Sequence, residues 1–337
     1  VSQRPPAVRR AAVAGAGSIG VGTAVVLARA GFEVVLWDPD AASRTRAARD
    51  LRSRVEFLAD HDLLGEEVET VVGRTRVEAD LAAAVGGAEL VQECAPEQLD
   101  LKRALYVDLA RETSHDTVLA GSSSALVPSS YAEGNPAADR IVGAHPGNPP
   151  YLLPVIELIA SPATSQRTLT AAREIYAAAG MSVVDVHGEV EGFVFNRLQG
   201  ALLREAYCLV RDGVASVADV DEVVRRGLGR RWAFMGPFET VDLNTRGGIG
   251  SHAQKMGPAY ERMGASRGQH DPWTPDLVAE VEDQRRRALP LEEWEERVAW
   301  RDEQLARLSA LLAPHDDATR PDAVVGQVRT GRVGRAV

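Results

Sequence analysis

The sequence predicts an α/β chain in two parts: an N-terminal doubly wound parallel sheet over residues 8–188, then an all-helical domain over 189–314, with a tail at 315–337. Three observations predict it. Up to Gly188, short apolar β-type runs alternate with amphipathic helical stretches, the pattern of parallel strands joined by crossover helices. The first run leads directly into Gly15-Ala16-Gly17-Ser18-Ile19-Gly20, a glycine-rich turn between a strand and a helix. Beyond Gly188 the β-type runs disappear and helical periodicity takes over.

Size and composition narrow the class. A chain of 337 residues can bury a substantial core in two domains. A net charge of −10 argues against a nucleic-acid surface. No apolar run reaches the roughly 18 residues that span a bilayer, and no basic-then-apolar leader opens the chain, so a cytoplasmic location is expected. Cys94 and Cys208 lie far apart without disulfide or metal spacing, and no metal site is expected. Only two of the 38 basic residues, Lys102 and Lys255, are lysines. A lysine surviving that bias marks a position where a compact ammonium suits the chemistry better than a planar guanidinium.

The elements justify themselves in order. Ala11 to Ala14 reads as a buried strand, Val21 to Ala30 as a helix closed by Gly31, and Glu33 to Trp37 as a second strand ending in Asp38. Strand, Gly-x-Gly-x-x-Gly, helix, strand and acid in register form the Rossmann-type dinucleotide-binding fingerprint. Gly15, Gly17 and Gly20 permit the tight turn and the approach of a pyrophosphate, Ser18 and Ile19 open the helix whose N-terminus meets its charge, and Asp38 accepts from the ribose hydroxyls. An acid there repels a 2′-phosphate and favours NAD over NADP.

Residues 40–85 read as helices with a turn near Gly65, their arginines forming a solvated face in preference to a patch for a phosphorylated substrate. Glu89 to Glu93 reads as a strand, Gln98 to Glu112 as a helix with Glu97 and Lys102 near its start, and Thr117 to Ala120 as a strand running into Gly121-Ser122-Ser123-Ser124. In Ile141 to Ile159 two apolar runs flank a Pro-rich turn, with His145 in the first and Glu157 in the second. Val155, Glu157 and Ile159 share one strand face, so Glu157 stands among apolar neighbours and needs a partner. If the runs fold back on each other, His145 is within reach, a pairing that makes a general base. A helix from Ser165 to Ala179 and a strand at Ser182 to Val186 close this half. Helices are then expected from Gly192 to Val210, Val217 to Arg226 with Ser216 as cap, Thr274 to Arg287 and Leu291 to Leu312.

The order of these motifs resembles the short-chain L-3-hydroxyacyl-CoA dehydrogenase superfamily over residues 10–312. The likeness rests on the glycine turn, Glu97…Lys102, His145-x-x-Asn148-Pro149…Glu157, and Gly192-Phe193…Asn196-Arg197. QECAPEQLDLKRAL, HPGNPPYLLPVIELI and RRWAFMGPFETVDLN resemble the lambda-crystallin and L-gulonate 3-dehydrogenase branch in particular, and RWAFMGPF is shared with carnitine dehydrogenases. The resemblance implies an NAD-dependent oxidoreductase with His145 as catalytic base, Glu157 orienting it, Ser124 bonding the substrate hydroxyl, Asn196 helping to hold the substrate, and Glu97 and Lys102 near the nicotinamide. Asn148 joins the implied substrate contacts; Arg231, beside Trp232, reads either as a clamp for a free carboxylate or as a surface or dimer-interface residue. A homodimer acting on a small molecule, with no nucleic acid or membrane as partner, is also implied.

Pro146-Gly147 replaces the two aromatics usual in the acyl-CoA enzymes. That departure sets aside the acyl-chain specificity of those enzymes, and the likeness to the gulonate branch, with no basic stripe for CoA phosphates on helix 40–62, makes a free L-3-hydroxy acid of the L-gulonate kind the expected substrate. The rivals are an L-3-hydroxyacyl-CoA, carnitine held by Trp232, Phe234 and Phe238, and NAD binding without turnover, as in a lens crystallin.

Overall fold

Ala11 to Ala14 is small and apolar enough to pack on both faces, and in the computed structural model it forms β1 (Arg10–Ala14), the strand at which the order of strands across the sheet reverses. The structure describes residues 9–269 and 274–300, with isolated positions at 304, 307 and 311. From β1 the chain runs through α1 (Ser18–Arg29), β2 (Glu33–Trp37), α2 (Ala41–Asp60), α3 (Val68–Gly73), β3 (Thr75–Glu78), α4 (Leu81–Val85) and β4 (Leu90–Glu93). It continues through α5 (Leu99–Glu112), β5 (Val118–Gly121), α6 (Pro128–Ala132), β6 (Ile141–Pro146), β7 (Val155–Ile159), α7 (Gln166–Ala178) and β8 (Ser182–Val186).

The eight strands make one sheet in the order β3-β2-β1-β4-β5-β6-β7-β8. All neighbours are parallel except β6 and β7, which are antiparallel. Along β1 the side chains alternate between two cores: Ala11 and Val13 pack with α1, α2 and α7 residues such as Val25, Leu51 and Ile175, while Ala12 and Ala14 pack with Val85, Tyr106 and Tyr131. Helices on both faces of a parallel sheet, with β1 between β2 and β4, are the doubly wound arrangement, whose crevice opens at the carboxyl end of β1.

One stretch departs from expectation. Residues 40–85, read as helical throughout, also contain β3, which pairs with β2 at the outer edge of the sheet. Its four residues, Thr-Arg-Val-Glu, carry too little apolar alternation to stand out, and Arg76 and Glu78 suit a charged edge that discourages further pairing.

The chain divides between Arg204 and Glu205, inside α8 (Phe195–Arg211), into two compact units. The second is helical. Ser216 and Asp219 cap α9 (Val217–Val223) reciprocally, and the helix runs on through a π turn (Val224–Leu228) into α10 (Gly229–Trp232). There follow α11 (Pro237–Asn244), α12 (Gly248–Ala265), α13 (Pro275–Ala288), a 3-10 turn (Leu291–Glu293) and helix over 294–300. Met235, Leu243 and Leu289 form its core with Trp294 and Trp300. Beside that core the fully buried Asp242 accepts from the backbone N–H of Ile249 at 2.8 Å and from the Arg286 guanidinium. The end of the helix expected over 291–312 falls largely outside the described residues, as does the tail 315–337. No helix among the described residues is long and apolar enough to cross a membrane.

Candidate active site

The antiparallel pairing of β6 and β7 sets His145 directly opposite Glu157. Both are buried, at 7% and 3% exposure, and His145 Nδ1 lies 2.7 Å from Glu157 Oε2. The other oxygen, Oε1, accepts from the backbone N–H groups of Val194 at 2.8 Å and Phe195 at 2.9 Å. Those donors are aimed by two left-handed residues in succession, Gly192 (φ 78°) and Phe193 (φ 48°). Glycine adopts that conformation freely. Phenylalanine does so at a cost, offset here by burial of its ring, which is 1% exposed and centred 5.7 Å from the imidazole.

Burial by itself would raise the Glu157 carboxyl. The hydrogen bonds to His145, Phe195 and Val194 outweigh it, and the group is held below the usual carboxylate range. An ionised Glu157 accepts a hydrogen bond from Nδ1–H, which keeps the proton on Nδ1 and leaves Nε2 as an acceptor. Facing Nε2 at 3.2 Å is the hydroxyl of Ser124, in the turn after β5, whose carbonyl accepts from Asn196 Nδ2 at 3.3 Å. Ser124, His145, Glu157 and Asn196, drawn from four separate segments, are thus brought together within the first unit.

The glycine turn has the shape a dinucleotide needs. Gly15 (φ 120°) passes so close to β4 that a Cβ there would lie 2.5 Å from the Cys94 carbonyl, and one on Gly20 would lie 1.9 Å from that of Gly15. Around Gly17 there is open space, nothing lying within 4 Å of a Cβ. No side chain caps α1, so the N–H groups of its first turn, at Ser18 and Ile19, stand ready for an anion. Asp38, one residue past β2, accepts from the N–H of Ala16 at 2.8 Å and of Asp40 at 2.9 Å, each carboxylate oxygen keeping lone pairs for ribose hydroxyls. These residues fit a dinucleotide.

Comparison with known proteins bears directly on this geometry. The family model for the 3-hydroxyacyl-CoA dehydrogenase NAD binding domain matches residues 10–190, and that for the C-terminal domain of the same enzymes matches residues 192–288. The chain belongs to the 3-hydroxyacyl-CoA dehydrogenase family. As a member it is an NAD-dependent oxidoreductase acting on CH–OH groups. Among its relatives, lambda-crystallin of Oryctolagus cuniculus is 35% identical, the alignment covering 91% of this chain and 97% of the relative. L-carnitine dehydrogenase of Streptomyces griseus is 37% identical over 80% of this chain and 77% of its own length. Among solved structures, the NAD+-dependent 5-formyl-3-hydroxy-2-methylpyridine 4-carboxylic acid 5-dehydrogenase superposes with a TM-score of 0.68 at 28% identity, covering 90% of this chain and 98% of that one.

Four other residues singled out in the sequence are Lys102, Glu97, Asn148 and Arg231. Lys102 does not face a cavity: its side chain is 1% exposed, and its ammonium bonds both oxygens of Glu93, at 2.8 and 2.9 Å. Burial pushes the Glu93 carboxyl above its ordinary range against the pull of that ammonium. Sequence reading missed Glu93, because a lone acid at the end of a four-residue strand resembles a solvent-facing strand end. Glu97 lies 3.6 Å from the same ammonium through Oε2. Its Oε1 gathers the Ser123 hydroxyl and the N–H groups of Ser124 at 3.2 Å, Ala125 at 3.0 Å and Leu126 at 3.3 Å. Glu97 therefore shapes the turn that presents Ser124. Asn148 is exposed in the loop after β6 and makes no side-chain hydrogen bond among the described residues. Arg231 is half-buried in α10 of the second unit.

Proposed function

We propose that this dehydrogenase oxidises the 3-hydroxyl of a small free L-3-hydroxy acid, of the L-gulonate kind, to the 3-oxo acid. The hydrogen-bonded series Ser124–His145–Glu157 carries the chemistry. Ser124 holds the substrate hydroxyl, His145 Nε2 takes its proton, and Glu157 stabilises the imidazolium that forms, all without a change of tautomer. When bound, NAD supplies the acceptor for the hydride leaving C3. General-base help of this kind is worth about 10² to 10⁴ in rate. Asn196, through the Ser124 carbonyl, keeps the serine hydroxyl aimed at Nε2, and Glu97 and Lys102 keep its turn in shape beside the nicotinamide end of the site. Gly15, Gly17, Ser18, Ile19, Gly20 and Asp38 are the proposed contacts to pyrophosphate and ribose. Asn148 and Arg231 are the proposed additional contacts to the acid.

Support for a free acid comes from three sides. Lambda-crystallin, of the branch to which the sequence's L-gulonate 3-dehydrogenase likeness points, aligns over nearly the whole of both chains. The structurally similar pyridine-carboxylic-acid dehydrogenase is named for a free acid. Of the arginines on α2 that could meet the phosphates of CoA, two are already paired, Arg52 with Glu69 and Arg49 with Asp50. The 37% identity to L-carnitine dehydrogenase favours carnitine as a second reading, itself a free 3-hydroxy acid. NADH formation measured with L-gulonate, carnitine, L-3-hydroxybutyrate and L-3-hydroxybutyryl-CoA tests this. Turnover of L-gulonate with little on the thioester is expected, and activity confined to the CoA ester would sink the free-acid reading.

A further inference from the structure

One cation near the glycine turn is not used by any role assigned above. Arg54, in α2, donates from Nη1 to the Ser18 carbonyl at 2.7 Å and from Nη2 to the Ser18 hydroxyl at 3.1 Å. Its guanidinium carbon lies 5.5 Å from the ring centroid of Tyr151. No carboxylate among the described residues pairs with it, and its Nε has no acceptor there, whereas its neighbour Arg52 is bonded to Glu69. A half-buried guanidinium held by neutral oxygens has no countercharge bonded to it and keeps spare donors.

Its position gives that charge a use. Ser18 is the first residue of α1, so the guanidinium lies against the opening turn of the helix whose N–H groups no side chain caps. Tyr151 belongs to the loop 147–154 that follows His145 in the chain. The loop is pressed against α1 one turn further on, where a Cβ on Gly22 would lie 2.9 Å from Pro150 Cδ and 3.4 Å from Arg54 Nη1. Arg54 thus touches both the turn that receives the dinucleotide and the loop that leaves the catalytic histidine.

We propose that Arg54 is a further cofactor-binding residue, whose guanidinium meets the pyrophosphate of NAD beside Ser18 and links that contact to the His145 loop through Tyr151. The proposal rests on the NAD-binding domain and not on the choice of substrate. Helix dipole and backbone N–H groups supply partial charges, and Arg54 adds a whole one in a geometry that suits phosphate oxygens.

The test compares ligands with and without the pyrophosphate. Affinities of NADH, ADP-ribose and adenosine are measured by NADH fluorescence and its displacement, for wild type, Arg54→Ala and Arg54→Gln. Glutamine can still donate to the Ser18 carbonyl, so it removes the charge while sparing the local bond. Both variants should weaken NADH and ADP-ribose about tenfold and leave adenosine unchanged. Equal loss for all three ligands would assign Arg54 a structural role only. Unchanged ADP-ribose affinity, with KM for the acid substrate raised, would place its charge on the substrate and overturn the proposal. If Arg54→Ala does not fold, Arg54→Gln decides: wild-type ADP-ribose affinity in it overturns the proposal.

Discussion

At Glu157 burial and hydrogen bonding pull in opposite directions, and three donors decide the outcome. In Glu157→Gln an amide would face Nδ1 and drive the imidazole proton to Nε2, where it blocks acceptance of the substrate proton. Turnover should fall by about 10²-fold or more, with NADH affinity kept. His145→Gln should lose about 10² to 10⁴ in turnover with the cofactor still bound, and near-normal turnover there would remove the mechanism. The same carboxylate has a signature in stability. Its folded value lies below its unfolded one, so its contribution is whole above the ordinary carboxylate range and is lost as pH falls through the folded value. Urea unfolding from about pH 7 to about pH 3 should show wild type losing stability more steeply than Glu157→Gln. Parallel slopes would mean that the carboxylate is not held low. The need of Glu157 for a partner was legible from alternation, since it stands among Val155, Ile156, Leu158 and Ile159, and the family resemblance singled out His145. Glu93 and Arg54 were not legible, because nothing near them in the chain names Lys102 or Ser18 as their partner.

At the scale of elements, the glycine turn separates two uses of a missing side chain. Gly20 is needed for packing, since its Cβ would overlap the Gly15 carbonyl, whereas Gly17 faces open space. Gly20→Ala should therefore cost about 1–3 kcal/mol of stability together with cofactor binding. Gly17→Ala should leave the melting temperature unchanged and weaken NADH by about tenfold, because its methyl occupies the room left for phosphate. Calorimetry and NADH titration distinguish the two, and equal destabilisation by both would refute the division. Elements with strong periodicity or caps were readable in advance: β2 and β8 match the residues expected, and Ser165 and Ser216 cap their helices as side-chain acceptors. The edge strand β3 was not readable, because pairing with β2, and not its own four residues, makes it a strand.

For the whole molecule, α8 raises the question of what covers it. Among the described residues none of its positions is buried, and Leu198, Leu202, Leu203 and Tyr207 are exposed along it. Apolar surface on this scale calls for a partner, and a second copy of the chain is the partner we propose. Sedimentation should give twice the 36.1 kDa chain mass, reduced to the single-chain mass by Leu202→Asp with Tyr207→Asp. A monomer at micromolar wild-type concentration would argue against it.

Local pattern in the amino-acid order was enough for the fold class and the NAD-binding turn, and it set Glu157 among apolar neighbours in need of a partner. All of these depend on spacing within a few residues, where periodicity and glycine tolerance act directly. What holds them in working geometry came only from folding the chain: Ser124 on His145, Asn196 on Ser124, the Val194 and Phe195 N–H groups on Glu157, Glu93 around Lys102 and Arg54 on Ser18. These contacts join residues from 9 to 72 positions apart. Partner choice at such separations is made by sheet order and by burial that leaves a polar group one acceptor or donor within reach, and neither is written in local pattern.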